Sequence, residues 1–207
     1  MKIISFVGFA DAGKSTAASI LAAQGYVTMS FADALKDCLS AIFGWRRDLL
    51  EGIIPESRVF RETVDQWWSD KLGIPDFTPR YAMKNFGTEV MRHHFHPDIW
   101  VMAVERRMLD LDTNQGIVFG DVRHPPEIRL TRSHGGKLVR IKKGDDPIWF
   151  DTARLANTGD GEALRIMRDV HNVHDSEMAW IGEHLDYTVV NDGSISDLAD
   201  KIRTLNL

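Results

Sequence analysis

Short apolar runs and amphipathic helical patterns alternate along this chain. These short runs, in which apolar and β-branched residues are frequent, are strand signals and lie at 2–8, 26–30, 116–120, 137–142 and 186–191. Each run has the length of a buried strand, and apolar residues between the runs recur at helical spacing. Strands that alternate with helices are typical of βαβ units. The sequence therefore predicts an α/β fold in which helices flank a five-stranded parallel sheet.

The same pattern predicts where several helices begin and end. The first helix would span about 14–24. Capping boxes, Ser30 with Asp33 and Ser194 with Asp197, would start a second helix and the last one. Cys38 would belong to the buried stripe of the second helix and so to the core. That stripe consists of Leu35, Cys38, Leu39, Ile42 and Phe43.

Two stretches interrupt the alternation. Residues 45–112 are mostly helical in pattern, contain no strand signal and are broken by several prolines. Because this stretch is too long for a simple crossover, we interpret it as a helical insertion over the mouth of the sheet. Residues 144–174 are rich in Gly, Asp and Arg and only weakly apolar, which favours a mobile lid.

Length and composition limit the class of protein. The 207 residues fit one domain, 1–207, that includes the insertion and the lid. The net charge of −5 argues against a basic face for nucleic acid. No apolar stretch approaches the roughly 18 residues of a membrane span, and the N-terminus runs straight into a strand. The single cysteine fits a reducing cytosol, so we expect a cytoplasmic protein without nucleic-acid or membrane partners.

Residues 8–16 carry the most specific chemistry, Gly-Phe-Ala-Asp-Ala-Gly-Lys-Ser-Thr between a predicted strand and a predicted helix. This is the P-loop pattern in its required context. Gly8 and Gly13 permit the tight turn that directs backbone N–H groups at a phosphate chain. Lys14 would hold the outer phosphates, and the Ser15 hydroxyl would ligate Mg²⁺. The predicted nucleotide-binding residues are Gly8, Asp11, Ala12, Gly13, Lys14, Ser15 and Thr16.

A second group of charged residues follows the strand signal at 116–120. Asp121 ends that strand as a Walker B carboxylate does, so it would emerge beside the P-loop and share the Mg²⁺ site with Ser15. The guanidinium of Arg123, two residues further on, would reach a transferred phosphoryl group or an acceptor phosphate. The alternative is a surface ion pair between Asp121 and Arg123, which would contribute little.

A third group lies in the predicted insertion. Arg80 and Lys84 are four residues apart, so they share one helix face and would clamp a single phosphate. The alternative is a solvated basic face. Trp100 is either a core residue or a platform on which a base stacks.

Several motifs resemble, in order and over essentially the whole chain, those of the bacteriophage-type deoxynucleoside monophosphate (dNMP) kinases. They are the P-loop and the segments 31–36, 79–90, 97–100, 121–127 and 174–177. The resemblance implies an NMP-kinase-like fold of the P-loop NTPase type. It also implies ATP-dependent phosphorylation of a deoxynucleoside monophosphate to the diphosphate, with Mg²⁺ as cofactor and ATP and dNMP as small-molecule partners.

The resemblance also implies residue roles. The catalytic residues would be Lys14, Asp121 and Arg123. Apart from the resemblance, the charge of a transferring phosphoryl group leads us to expect that lid arginines such as Arg140 or Arg154 stabilise it, and Arg154 joins the ATP-binding set. Two positions depart from the family pattern, Ser15 where many members have Asp and Lys84 where Gln is frequent. The dNMP-binding residues would be Asp33, Lys36, Arg80, Lys84, Trp100, Arg123 and Glu127.

Alternatives remain for the acceptor and for the class of protein. The acceptor could be dephospho-coenzyme A or a ribonucleoside monophosphate. A P-loop switch that hydrolyses slowly is a further alternative, although the chain lacks the Asn-Lys-x-Asp motif of a guanine-specific GTPase. The sequence leaves a homodimer open. For a phage-encoded enzyme, the cytoplasm would be that of the host.

Overall fold

A parallel β-sheet forms the centre of the protein. The computed structural model describes residues 2–52, 54–112, 114–205 and 207. Their sheet has the strand order β2-β3-β1-β4-β5, and every pairing is parallel. This confirms the predicted α/β fold with a five-stranded parallel sheet. The strands are β1 (Ile3–Val7), β2 (Val27–Met29), β3 (Ile117–Phe119), β4 (Lys137–Lys142) and β5 (Tyr187–Val190).

Helices fill the intervals between the strands. Residues Arg47–Leu50 form a 3₁₀ helix, and Asn85–Phe95 and Met167–His171 are π-helical. The α-helices are α1 (Lys14–Ala22), α2 (Asp33–Phe43), α3 (Pro55–Glu62), α4 (Gln66–Leu72), α5 (Pro79–Lys84), α6 (Ile99–Met108), α7 (Pro125–Ser133), α8 (Phe150–Asn157), α9 (Gly161–Ile166), α10 (Asp175–Met178) and α11 (Ile195–Arg203). None of the helices within the described ranges is long and apolar enough to cross a membrane.

The chain divides into two compact units. The first unit comprises the described residues of 1–30 and 110–207, and the second those of 31–109. All five strands belong to the first unit. β1 is buried along its whole length because it lies between β3 and β4 in the sheet. This explains why its sequence is apolar at every position except Ser5. The core cluster of the first unit consists of Ile4, Phe6, Ala12, Ala17, Ala18, Leu21, Val118, Val139, Ile141, Val189, Leu198 and Ile202.

In the second unit all regular elements among the described residues are helices, and the unit has its own core. It begins at Phe31, so α2 belongs to it as well as the helices predicted in the insertion. Trp45 stacks on Phe43 with ring centroids 4.5 Å apart, and its indole N–H donates to Asp65 Oδ2 at 2.7 Å. The buried core residues are Leu39, Trp45, Leu50, Phe77 and Ala82.

Two local predictions for α2 are wrong. The N-cap of α2 is Ala32 rather than the predicted Ser30, whose Oγ donates to Asp121 Oδ2 at 2.5 Å. Cys38 is exposed rather than buried. Ile42 is also 52% exposed, so the buried stripe of α2 is narrower than the periodicity suggests. The predicted capping box that starts α11 is confirmed.

The segment predicted as a lid belongs to the first unit and contains α8 and α9. Several small or unbranched apolar side chains of this segment are buried. The interpretation of this segment as a lid stays a prediction. The buried residues are Ala153, Ala156, Ala163 and Met167.

Replacing Leu39 with Ala should destabilise the second unit. Leu39 is fully buried in its core, so the cavity should cost about 2–5 kcal/mol. The matched control is Ile42→Ala on the same helix, which removes an exposed side chain and should change stability by less than about 0.5 kcal/mol. Urea denaturation followed by circular dichroism measures both. Equal losses for the two variants would contradict the placement of α2.

Candidate functional site

The loop between β1 and α1 is shaped by glycines. Gly8 has φ +138° and Gly13 has φ +104°, conformations that side-chain-bearing residues rarely adopt. A Cβ on Gly8 would lie 2.3 Å from Ile141 O, so the loop begins pressed against β4. Helix α1 begins at Lys14, directly after Gly13. Its first N–H groups therefore face the loop and are available to an anion.

Lys14 lies inside this loop. Its ammonium donates to Gly8 O at 2.8 Å and to Phe9 O at 2.6 Å, and the residue is only 9% exposed. Burial and the neighbouring guanidinium of Arg123 lower the pKa of Lys14 to about 8. Nearby carboxylates of Glu177, Asp11 and Asp121 partly oppose that shift. The charged form of the Lys14 amine would therefore be stabilised by an anion bound in the loop.

The chain after β3 supplies the second side of the site. A Cβ on Gly120 would lie 3.2 Å from Ala18 Cβ and 3.7 Å from Ser15 Cα, so a glycine here lets α1 approach the end of β3 closely. Asp121 and Arg123 follow, and both act electrostatically on Lys14. Arg123 Nη1 donates to Glu177 Oε1 at 2.9 Å. Three of the predicted residues, Lys14, Asp121 and Arg123, are therefore brought together.

Glu127 is placed for a structural task. It is 3% exposed, and its Oε2 accepts from the backbone N–H of Arg123 at 2.7 Å and of His124 at 3.0 Å. This carboxylate caps the N-terminus of α7 and fixes the backbone that carries Arg123. A direct contact of Glu127 with an acceptor stays a prediction.

A cavity of about 490 Å³ lies next to the P-loop. It is bounded by the chain after β4 and the turn after β5, which end at the same edge of the sheet. The side-chain amide of Asn191 donates to Ala12 O at 2.8 Å and ties the turn to the loop. The lining residues are Thr16, Lys143, Gly144, Asn191, Asp192, Gly193, Ile195 and Leu198.

Sequence reasoning identified only Thr16 among the residues of this cavity. The remaining ones come from the loop after β4, the turn after β5 and helix α11, and each loop looks like an ordinary turn in the sequence. One signal was available: in parallel sheets, ligands bind beyond the carboxyl ends of the strands. The loops after β4 and β5 follow such ends. The Glu177 partner of Arg123 was also missed as a site residue, although its segment belongs to the motif set.

Oxygen donors suited to Mg²⁺ lie at the P-loop. Ser15 is exposed at the first turn of α1, and Asp121 follows β3 nearby. A hydroxyl and one carboxylate, completed by substrate phosphates and water, form a donor set that Mg²⁺ accepts. The two predicted metal residues therefore fit the ion. Among the described residues, no group of three or more His, Cys, Asp or Glu side chains could hold a metal by itself.

Two predicted acceptor residues on α2 belong to an ion-pair network of the second unit. Lys36, which is buried, donates to Glu51 Oε2 at 2.6 Å. Arg47 pairs with Asp33 at 3.0 Å and with Asp37 at 2.6 Å. The network alternates cations and carboxylates, so an incoming phosphate would compete with Asp33 and Glu51 for these cations.

The remaining predicted acceptor residues of the second unit are in separate environments. Arg80 is half-exposed and forms an ion pair with Glu62, and Lys84 is exposed on the same helix, α5. Trp100 is 5% exposed, and its indole N–H donates to Gly87 O at 2.9 Å. This placement agrees with the core alternative for Trp100. A stacking role towards a nucleoside stays a prediction.

The two arginines proposed to come from the lid differ. Arg154 lies in the last turn of α8, is exposed and pairs with Asp151 at 3.0 Å. Arg140 is not a lid residue: it lies on β4, opposite Val7 of β1, and is 7% exposed. Its guanidinium is held by aromatic rings and a carboxylate, so the expectation that it is a lid arginine is wrong.

Comparisons with known proteins give a consistent but distant picture. No family model and no curated protein matches the sequence. A dephospho-CoA kinase from Campylobacter jejuni matches at 14% identity and TM-score 0.47, over 100% of this chain and 96% of that one. A shikimate kinase from Aquifex aeolicus matches at 15% identity and TM-score 0.45, over 100% of this chain and 96% of that one. A gluconokinase from Sinorhizobium meliloti matches at 14% identity and TM-score 0.38, over 97% of this chain and 89% of that one. Because these values are low, the function must be argued from the residues of the site.

The lowered pKa of Lys14 predicts pH-dependent binding of MgATP. Bound phosphates favour the charged amine and raise its pKa, so binding takes up a proton wherever the free protein has lost it. The affinity should therefore be constant below about pH 8 and fall above it, by up to about tenfold per pH unit.

Isothermal titration calorimetry in buffers of different ionisation enthalpy measures both the affinity and the proton uptake. The matched control is Lys14→Arg, whose guanidinium stays charged and should give a flat profile. A wild-type profile that is flat from pH 7 to pH 10 would contradict the assignment.

Proposed function

We propose that this chain is a phosphotransferase that moves the terminal phosphoryl group of MgATP to the phosphate of a deoxynucleoside monophosphate. One observation carries the transfer chemistry. Lys14, within the glycine loop, shares its surroundings with Arg123, Asp121 and Glu177. Two cations thus lie where the end of a phosphate chain on this loop would be, and Asp121 provides a metal-binding carboxylate beside them.

The donor nucleotide has a continuous path in the first unit. Its phosphates would lie on the P-loop, at the N-terminus of α1. Thr16, one residue beyond Ser15, lines the cavity of about 490 Å³, so the base would enter that cavity. Ile195 and Leu198 offer an apolar surface there, while Lys143, Asn191 and Asp192 are polar. A volume of this size holds a nucleoside.

Transfer would depend on positioning and charge rather than on covalent catalysis. Lys14 and Arg123 would stabilise the negative charge that spreads over the transferring group. Mg²⁺, held by Ser15 and Asp121, would neutralise charge on the donor phosphates when it is bound. The acceptor oxygen of a monophosphate is already anionic, so no general base is required. Arg123 would exchange its present partner, Glu177, for phosphate oxygens.

The acceptor would be held by the second unit, with Arg80 and Lys84 as candidate phosphate ligands. Lys36 and Asp33, within the network around Arg47, are further candidates. The choice of a deoxynucleoside monophosphate is supported by the motifs shared with the phage-type kinases. The same site could serve another phosphorylated acceptor, such as dephospho-coenzyme A or a ribonucleoside monophosphate. We expect the reaction in the cytoplasm.

An acceptor panel tests the proposed substrate class. We expect ADP release from MgATP to increase about 100-fold or more when a deoxynucleoside monophosphate is added, because the acceptor replaces water at the phosphoryl group. Ribonucleoside monophosphates, dephospho-coenzyme A, shikimate and gluconate are the comparison arms, in a coupled assay with product identification. Stimulation by only one of those arms would reassign the acceptor. Slow hydrolysis that no arm stimulates would instead indicate a P-loop switch.

Replacing Arg123 with Ala should lower kcat by about 100-fold or more, because a cation that stabilises the transition state is lost. The KM for ATP should change far less. Arg123→Lys should recover part of kcat, since it restores the charge without the planar guanidinium. The control is Arg165→Ala, which removes an exposed arginine paired with Glu162 and should leave turnover unchanged. Near-normal turnover in Arg123→Ala would remove Arg123 from the catalytic residues.

A further inference from the structure

Four aromatic rings surround the start of the P-loop. Phe9, the second residue of the loop motif, lies 5.5 Å from Trp149, 6.2 Å from Phe150 and 5.2 Å from Trp180, measured between ring centroids. All three contacts are edge-to-face, the geometry that aromatic pairs prefer. We call these four residues the aromatic cluster. Its members come from the loop after β1, the start of α8 and the chain after α10.

A buried arginine lies in the middle of the aromatic cluster. The guanidinium carbon of Arg140 is 4.9 Å from the ring centroid of Phe150, 5.0 Å from that of Trp180 and 5.9 Å from that of Phe9. These distances permit cation–π attraction to three rings at once. Arg140 lies on β4 opposite Val7, the residue immediately before the P-loop. The strand pairing therefore fixes the arginine beside the loop.

A carboxylate balances this buried charge. Asp146, in the chain between β4 and α8, accepts hydrogen bonds from Arg140 and, at 3.1 Å, from Lys142. Burial alone would raise the pKa of Asp146, but these hydrogen bonds outweigh it and the pKa is lowered. Asp146 is consequently ionised at neutral pH. Among the described residues, the Nε of Arg140 has no hydrogen-bond partner.

Stability alone is a weak reason for burying this pair. Replacing a buried ion pair by apolar side chains of similar volume is often neutral or stabilising, because removing two charges from water costs free energy. An apolar residue at position 140 would also suit the aromatic cluster. The ion pair instead contributes orientation. Asp146 fixes the plane of the Arg140 guanidinium, and the aromatic rings pack against that fixed plane.

The oriented ring belongs to the residue that holds Lys14. Phe9 O accepts from the ammonium of Lys14 at 2.6 Å. On the other side, the indole N–H of Trp180 donates to Glu177 O at 3.0 Å, and the carboxylate of Glu177 pairs with Arg123. The aromatic cluster therefore includes the residue whose carbonyl binds Lys14 and contacts the backbone of Glu177, the carboxylate partner of Arg123.

We propose that Arg140 is a positioning residue that, through the aromatic cluster, holds the P-loop backbone in the conformation that receives a triphosphate. Arg140 does not touch the phosphates. It fixes the ring of Phe9, and with it the carbonyl that orients Lys14. The inference deepens the proposed function, and so rests on it for its catalytic meaning, but the binding of a triphosphate can be tested without any acceptor.

The main test is the double variant Arg140→Met with Asp146→Asn, which removes both charges while roughly conserving volume. We expect its affinity for inorganic triphosphate with Mg²⁺, measured by calorimetry at pH 7.5 on the full chain, to be about tenfold weaker than that of the wild type. In turnover, the KM for ATP should rise by a similar factor, whereas kcat and the KM for the acceptor should change less than about threefold.

Two further variants separate positioning from folding. Phe9→Leu keeps the backbone carbonyl and removes the ring, so it should weaken triphosphate binding by a similar factor even if the double variant does not fold. The matched control is Arg132→Met with Asp186→Asn, another arginine–aspartate pair of the first unit, at 2.5 Å. Arg132 makes no cation–π contact within the described ranges, so this control should keep the wild-type affinity.

The outcomes are distinct. If the folded double variant and Phe9→Leu both bind triphosphate as the wild type does, the inference is overturned. An equal loss of affinity in the Arg132 control would also overturn it, because the effect would then be a general loss of stability. If the wild type binds triphosphate and the variants lose affinity, but no acceptor is phosphorylated, the inference stands and the proposed kinase function fails.

Discussion

A side chain on residue 8 would have no room, because its Cβ would lie 2.3 Å from Ile141 O on β4. This single backbone approach fixes where the loop leaves the sheet, and therefore where α1 begins and where its N–H groups face. Gly13 repeats the constraint at the other end of the loop, since a Cβ there would lie 2.5 Å from the side-chain nitrogen of Asn191. The course of the glycine loop is thus set by the close contact of its backbone with two neighbouring segments, before any charged side chain is considered.

Much of the fold can be predicted from the sequence because burial leaves a periodic record. All five predicted strands are present, shortened by at most a few residues. Their parallel pairing is expected because helices lie between them in the sequence. Local capping signals place the start of a helix less exactly. Ser30 has the residue type and spacing of an N-cap, yet α2 begins at Asp33 and its N-cap is Ala32. Periodicity likewise cannot tell how wide the buried stripe of α2 is, and Cys38 lies just outside it.

The predictability of the site follows the same division. The P-loop is contiguous in sequence, so its chemistry can be recognised from one segment. The proposed role of Arg140 depends on aromatic rings from segments before and after it in the sequence, and no local sequence pattern predicts these contacts. Glu127 shows the opposite difficulty. Its position in a motif suggests a substrate contact, whereas in the structure its carboxylate accepts from two backbone N–H groups and holds the chain at Arg123.

The distribution of indole rings has a practical consequence for spectroscopy. Of the six tryptophans, Trp149 and Trp180 belong to the first unit, and the other four to the second. Both indoles of the first unit lie within 5.5 Å of the Phe9 ring, measured between centroids. Intrinsic fluorescence of a chain that retains only these two would report on the environment of the phosphate loop. A chain that retains only the other four would report on the helical unit, so a pair of variants allows the two units to be observed separately.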